Sequence, residues 1–175
     1  MSKEIREMID KVKNFKQFVN ENSKEFTNTD KLKQLYLNNG FSDKNVMDMA
    51  EEGYFNKIEW FDEDTLIVYR SITLLESEIN EFKNDVKKNK GVGQYWSFDS
   101  EIRSIWGGNA DFRNDNKENI FDILITGHLK LKNIDFNDLV YAFKDDYYNF
   151  ISEKEIRGLK GGNSVKVISY KIHDL

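Results

Sequence analysis

Thr65-Leu66-Ile67-Val68-Tyr69 decides how the rest of the chain is read. The run is β-branched and aromatic, bounded by Asp and Glu, and that composition predicts a strand. It ends in Arg70, which brings a permanently charged fork to the edge of the core. Ahead of it the pattern is helical. Ile5, Met8, Ile9, Val12, Phe15 and Val19 recur at steps of three and four, so residues 3–22 read as an amphipathic helix with one buried stripe. A second helix runs from about Thr29 through Leu32, Leu35 and Tyr36 to the stop signal Asn38-Asn39-Gly40, and Ser42 caps a third with Val46, Met49 and Ala50 inward.

Beyond Arg70, Leu75, Ile79, Phe82 and Val86 fit a further helix, which Gly91-Val92-Gly93 interrupts before the aromatic strand Gln94 to Phe98. Asp99 to Trp106 reads as a short helix and Gly107 to Asn119 as a surface loop. Ile120 to Ile134 alternates as a strand, Asp135 opens a helix through Leu139, Val140 and Phe143, and Ser152 to Ile156 and Val165 to Ile172 read as strands. Gly158 and Gly161-Gly162 supply the turns between them. Helices over residues 1–60, then a β-rich core over 65–175, predict one α+β domain.

Composition narrows the chemistry. With 175 residues, 39% of them hydrophobic and 33% charged, the chain has material for a core and is neither disordered nor fibrous. No apolar run approaches a membrane span, and the charged start Met1-Ser2-Lys3-Glu4 lacks the apolar stretch of a secretory signal, so a cytoplasmic protein with no membrane partner is expected. Zero cysteines exclude disulfides and thiolate chemistry, and His128 and His173, far apart in sequence, form no recognisable metal motif. A net charge of −5 disfavours broad nucleic-acid binding. Lys87-Lys88-Asn89-Lys90 is the best basic cluster, and it falls where cations complement a helix C-terminus.

Three features remain that bear on chemistry. Glu153-Lys154-Glu155 opens a predicted strand, where side chains two apart project on one side, so the carboxylates are expected on one face about 6–7 Å apart. Such a pair either lies solvated or serves a cation or a developing positive charge. Arg70 has an anion as its natural partner: a bound phosphate or carboxylate, or an acidic neighbour in an internal salt bridge. Ser97, between Trp96 and Phe98, lacks any nearby histidine or nucleophile elbow, and its modest role is to orient a carboxylate.

In this order, Leu66-Ile67-Val68-Tyr69-Arg70-Ser71, Gly93-Gln94-Tyr95-Trp96-Ser97-Phe98-Asp99 and Ser152-Glu153-Lys154-Glu155-Ile156 resemble the motifs of the R-S-E class of mono-ADP-ribosyltransferases, bacterial toxin and bacteriophage-encoded members among them. The resemblance implies a mixed or antiparallel split β-sandwich around an NAD cleft. It also implies transfer of ADP-ribose from NAD to a protein acceptor in a host cytoplasm, with nicotinamide released and no metal needed. Carried over, Glu155 is the catalytic glutamate and Glu153 faces the acceptor, in the arginine-modifying pattern. Arg70 binds the NAD phosphates, Ser97 holds Glu155, and Ser71, Tyr95 and Trp96 line the cofactor site. Tyr147, Tyr148 and Phe150, in the loop before the glutamates, contact the acceptor. Phe98 and Asp99 depart from the family's Ser-Thr-Ser. The alternatives are NAD hydrolysis or nucleic-acid modification on the same fold, or a binding module with Arg70 and Glu155 paired structurally and an aromatic surface toward a partner.

Overall fold

Capped helices lead into the sheet. The computed structural model describes residues 27–88, 90, 92–102, 117–160 and 163–174. The helix expected over 3–22, most of the segment from Asp99 to Asn119 and the Gly161-Gly162 turn lie outside the described residues. Helix α1 (Asn28–Asn38) begins with a reciprocal cap in which the Thr27 hydroxyl accepts from the Asp30 amide at 3.1 Å and the Asp30 carboxylate accepts from the Thr27 amide. Helix α2 (Asp43–Glu51) repeats the device with Ser42 and Asn45, as expected for Ser42. Each cap stabilises its helix by about 1 kcal/mol. A 3-10 turn over Tyr54–Lys57 follows.

Strand β1 (Glu59–Asp62) is four residues with acidic ends, too short for period-two alternation to register in the sequence. It turns through Glu63-Asp64 into β2 (Thr65–Leu75), eleven residues long. Arg70 therefore stands in the middle of a strand and does not end one, because Ser71 to Leu74 continue the extended pattern and pair with β4 (Ile120–Lys130) from Thr65↔Lys130 to Leu75↔Ile120. Leu75 closes the strand, and the helix expected from it begins later, as α3 (Ile79–Lys87). Short β3 (Tyr95–Ser97) and β5 (Glu155–Arg157) and long β6 (Val165–Asp174) complete the sheet.

The order is β5-β3-β2-β4-β6 with β1 also on β2, every pairing is antiparallel, and the sheet is not closed. The α+β class holds, while the split, two-layer sandwich is not what the described residues form: their six strands make one continuous sheet.

Helices α4 (Phe136–Asp145) and α5 (Tyr147–Ser152) correct two expectations at once. The segment before the glutamates is helical, with the Asp146 carboxylate capping α5 through the Asn149 amide, and Ser152 ends that helix where a strand was expected. Leu32, Tyr36 and Met49 from the helices and Leu66, Val68, Ile123 and Leu129 from the sheet share one core. Phe150 belongs to it. Its ring is 1% exposed and stacks on Tyr54 at 5.2 Å, and that leaves no surface for an acceptor. Phe150→Ala should therefore cost about 3–5 kcal/mol of folding free energy, measured by denaturant unfolding. A change within 0.5 kcal/mol would return Phe150 to the surface role.

Candidate functional site at the start of strand β3

The three motif strands, separated by up to 85 residues in sequence, lie side by side as β2, β3 and β5. Tyr69 pairs with Ser97 and Ser97 with Glu155, so one transverse row crosses all three. Directly paired residues share a face and neighbours along a strand alternate. Tyr69, Ser71, Tyr95, Ser97, Glu155 and Arg157 therefore project on one face, and Arg70 and Trp96 leave on the other.

Arg70 reaches the start of β3. Its Nη1 donates to the Tyr95 carbonyl at 3.2 Å, and the guanidinium lies against Gly93, where a Cβ would come within 2.0 Å of Nη1. Gly93 has φ +111°, a left-handed conformation open to glycine, so this close approach depends on the residue having no side chain. Burial lowers the pKa of the Arg70 guanidinium from its ordinary value, and among the described residues no carboxylate pairs with it. A partly buried cation without an anion is a costly arrangement, and a bound anion relieves it.

Glu155 stands across β3 from Arg70 and has a different partner. Its Oε1 accepts from Arg157 Nε at 2.5 Å, and Arg157 Nη1 also binds Asp138 Oδ2 at 2.7 Å. The structural pairing of Arg70 with Glu155 is thus corrected: among the described residues Arg70 pairs with no carboxylate, and Glu155 is held by Arg157. Tyr95 connects the two, because its carbonyl accepts from Arg70 and its ring lies 4.5 Å beneath the Arg157 guanidinium.

Glu153 does not stand in a strand. It is the C-cap that follows α5, with φ −83° and ψ −6°, Lys154 turns through φ +48°, and only then does β5 begin at Glu155. The two carboxylates are nevertheless electrostatically coupled: burial first, then the charge of Glu155, raises the pKa of Glu153. A helix-to-strand turn, not strand alternation, therefore separates the two glutamates. A lysine at positive φ carries strain, typically of about 1–2 kcal/mol, that its surroundings must offset.

Ser97 is fully buried and holds this turn together. Its hydroxyl donates to the Glu153 carbonyl at 2.5 Å and accepts from the Asp99 amide at 2.8 Å, while the Phe98 amide donates to the Lys154 carbonyl at 3.1 Å. The Tyr54 hydroxyl donates to the Glu155 carbonyl. Ser97 thus acts on the backbone that carries the glutamates, not on the Glu155 carboxylate itself.

The remaining candidates divide by burial. Trp96 is a core residue whose ring contacts the Gly127 backbone position and whose Nε1 donates to the Gly93 carbonyl at 3.1 Å, so it supports the Arg70 loop from inside. The Ser71 hydroxyl binds buried Asp122 at 2.6 Å, on the face away from Arg70. Tyr95 and Tyr148 are exposed, and Tyr147 is half-buried against Phe143. Sequence reasoning missed Arg157 and Asp138, which only strand register and the start of α4 bring to Glu155.

Among the described residues, no group of three or more His, Asp and Glu side chains is placed to hold a metal ion, and no helix is long and apolar enough to cross a membrane. A cleft of about 810 Å³ lies at the other end of β2, around Lys31, Thr65, Lys130 and Phe136. Thr65 is five residues from Arg70, roughly 17 Å along the strand, so this cleft is a separate feature. No family model, curated protein or solved structure matches the chain.

Proposed function

We propose that the chain is an NAD-dependent mono-ADP-ribosyltransferase that transfers ADP-ribose to a protein acceptor, at arginine, in the cytoplasm of a host cell. The observation that carries this reading is Arg70: a partly buried guanidinium with no carboxylate partner among the described residues, on the strand that β3 separates from β5 and its glutamate. The pyrophosphate of a dinucleotide is an anion a guanidinium fork can hold bidentately. Arg70 and Glu155 leave on opposite faces of the sheet, so an elongated ligand that reaches both passes around the start of β3 from one face to the other.

In the reaction, the bond from the ribose C1′ to nicotinamide breaks and its electron pair leaves with neutral nicotinamide, so no general acid is required. The ribose develops oxocarbenium character, which the Glu155 carboxylate stabilises through its charge. A guanidine nitrogen of the acceptor attacks C1′ and its proton goes to Glu153. The raised pKa of Glu153 makes it a better proton acceptor than an ordinary surface glutamate. Exposed Tyr148 and half-buried Tyr147, on the helix that Glu153 caps, remain as acceptor contacts.

Hydrolysis of NAD is the second reading, since water can replace the guanidine at the same carbon. Incubation with NAD labelled on the adenylate side, with and without bacterial lysate, separates them. Label on protein is the expected result, and Glu153→Gln should lose transfer while retaining NAD hydrolysis. Free ADP-ribose alone makes the chain a glycohydrolase, label on nucleic acid replaces the acceptor, and no turnover with no NAD binding overturns the reading.

A further inference from the structure

Resting on the role proposed for Glu155, we infer that Arg157 is a positioning residue of the reaction: clamped between Glu155, Asp138 and the Tyr95 ring, it fixes one carboxylate oxygen of Glu155 and leaves the other for the ribose. The clamp is built from three elements. Arg157 and Glu155 are two apart on β5 and share a face, Asp138 comes from the first turn of α4, and Tyr95 is the cross-strand partner of Arg157 on β3. The contacts are Nε to Glu155 Oε1 at 2.5 Å, Nη1 to Asp138 Oδ2 at 2.7 Å and the guanidinium carbon 4.5 Å from the ring centroid.

The Arg157 side chain is only 14% exposed, and Glu155 and Asp138 are 16% and 20% exposed. A planar group held on three sides has little rotational freedom, which distinguishes the arrangement from a solvated surface pair and from a latch that must swing away. Glu155 is bound through a single oxygen. Among the described residues Oε2 takes no hydrogen bond, so the carboxylate is oriented without being saturated. This is the geometry a pre-organised anion needs: its direction set before substrate arrives and one lone-pair face open.

The surroundings make Arg157 matter electrostatically as well. The groups that face Glu155 are Glu153 at the end of α5, Tyr36 on α1 and Tyr54 on the 3-10 turn, with Arg157 on its own strand and Asp138 behind it. Arg157 is the one cation in that set. Without it, Glu155 would face the like charges of Glu153 and Asp138 with no cation in that set to hold it.

The test is steady-state nicotinamide release by the full chain as a function of NAD concentration, in wild type, Arg157→Gln and Arg157→Lys, with circular dichroism as the check on folding. Arg157→Gln is expected to leave KM for NAD within about twofold and to lower kcat by about 10- to 100-fold. Arg157→Lys keeps the charge without the fork, so it should recover only part of kcat. If Arg157→Gln does not fold, the lysine variant carries the test through its kcat. Unchanged kcat in a folded variant, or a rise in KM alone, overturns the positioning role and leaves the function standing. Absence of nicotinamide release in wild type overturns both.

Discussion

Glu155→Gln is expected to slow nicotinamide release by about 10²–10³-fold while NAD affinity stays within a few fold. The substitution keeps the shape of the side chain and removes its charge, which the proposed chemistry uses only as the glycosidic bond breaks. An interaction absent from the ground state lowers kcat and kcat/KM together and leaves binding alone. The fold should tolerate the change, because the backbone at Glu155 is held independently through the Tyr54 hydroxyl and the pairing of Ser97 with Glu155. Arg157 would lose an ionic partner and retain Asp138. Single-turnover nicotinamide release, beside calorimetric NAD titration, separates the two quantities. Release at the wild-type rate would remove Glu155 from the reaction.

Loss of the Arg70 guanidinium should produce the opposite pattern. Arg70→Met keeps the aliphatic stem and removes the charge, and NAD affinity is expected to fall by about 2–4 kcal/mol, roughly 30- to 1,000-fold in Kd. Stability should hold or rise, because the guanidinium pairs with no carboxylate among the described residues and burial already works against its charge. A structural salt bridge would behave the other way, with stability lost and binding untouched.

Gly93→Ala makes the same point without touching the arginine. Its Cβ would come within 2.0 Å of Arg70 Nη1 at a backbone φ of +111°, so the guanidinium must move. Affinity should drop in the same direction as for Arg70→Met. Calorimetry on both variants, with thermal melts alongside, checks the pair; unchanged Kd in both would leave Arg70 without a ligand.

How far the site was legible in the sequence depended on the range of the forces involved. Ser42 and Asp135 were readable as helix caps because a cap is a contact between residues three apart. The strand character of Thr65 to Tyr69 was readable because it is local, but its extent to Leu75 was set by β4, whose register runs to Ile120. The glutamates were expected to share a strand; α5 instead runs through Ser152, and Lys154 adopts a left-handed turn, because Phe150 and Ile151 are drawn into the core as helical residues. Phe150 was read as a loop aromatic for the same reason in reverse, since burial against Tyr54 is a contact of nearly a hundred residues' separation.

By itself the amino-acid sequence determined the α+β class, the caps, the strand around Arg70 and the order of arginine, serine and glutamates along the chain, all of which follow from local propensity and spacing. Tertiary structure alone decided that β2, β3 and β5 are neighbours, that Arg70 lies against Gly93 with no carboxylate partner among the described residues, and that Glu155 pairs with Arg157, which Asp138 holds in turn. Those outcomes depend on strand register and on which face each side chain leaves, and a shift of one residue in register reverses every face.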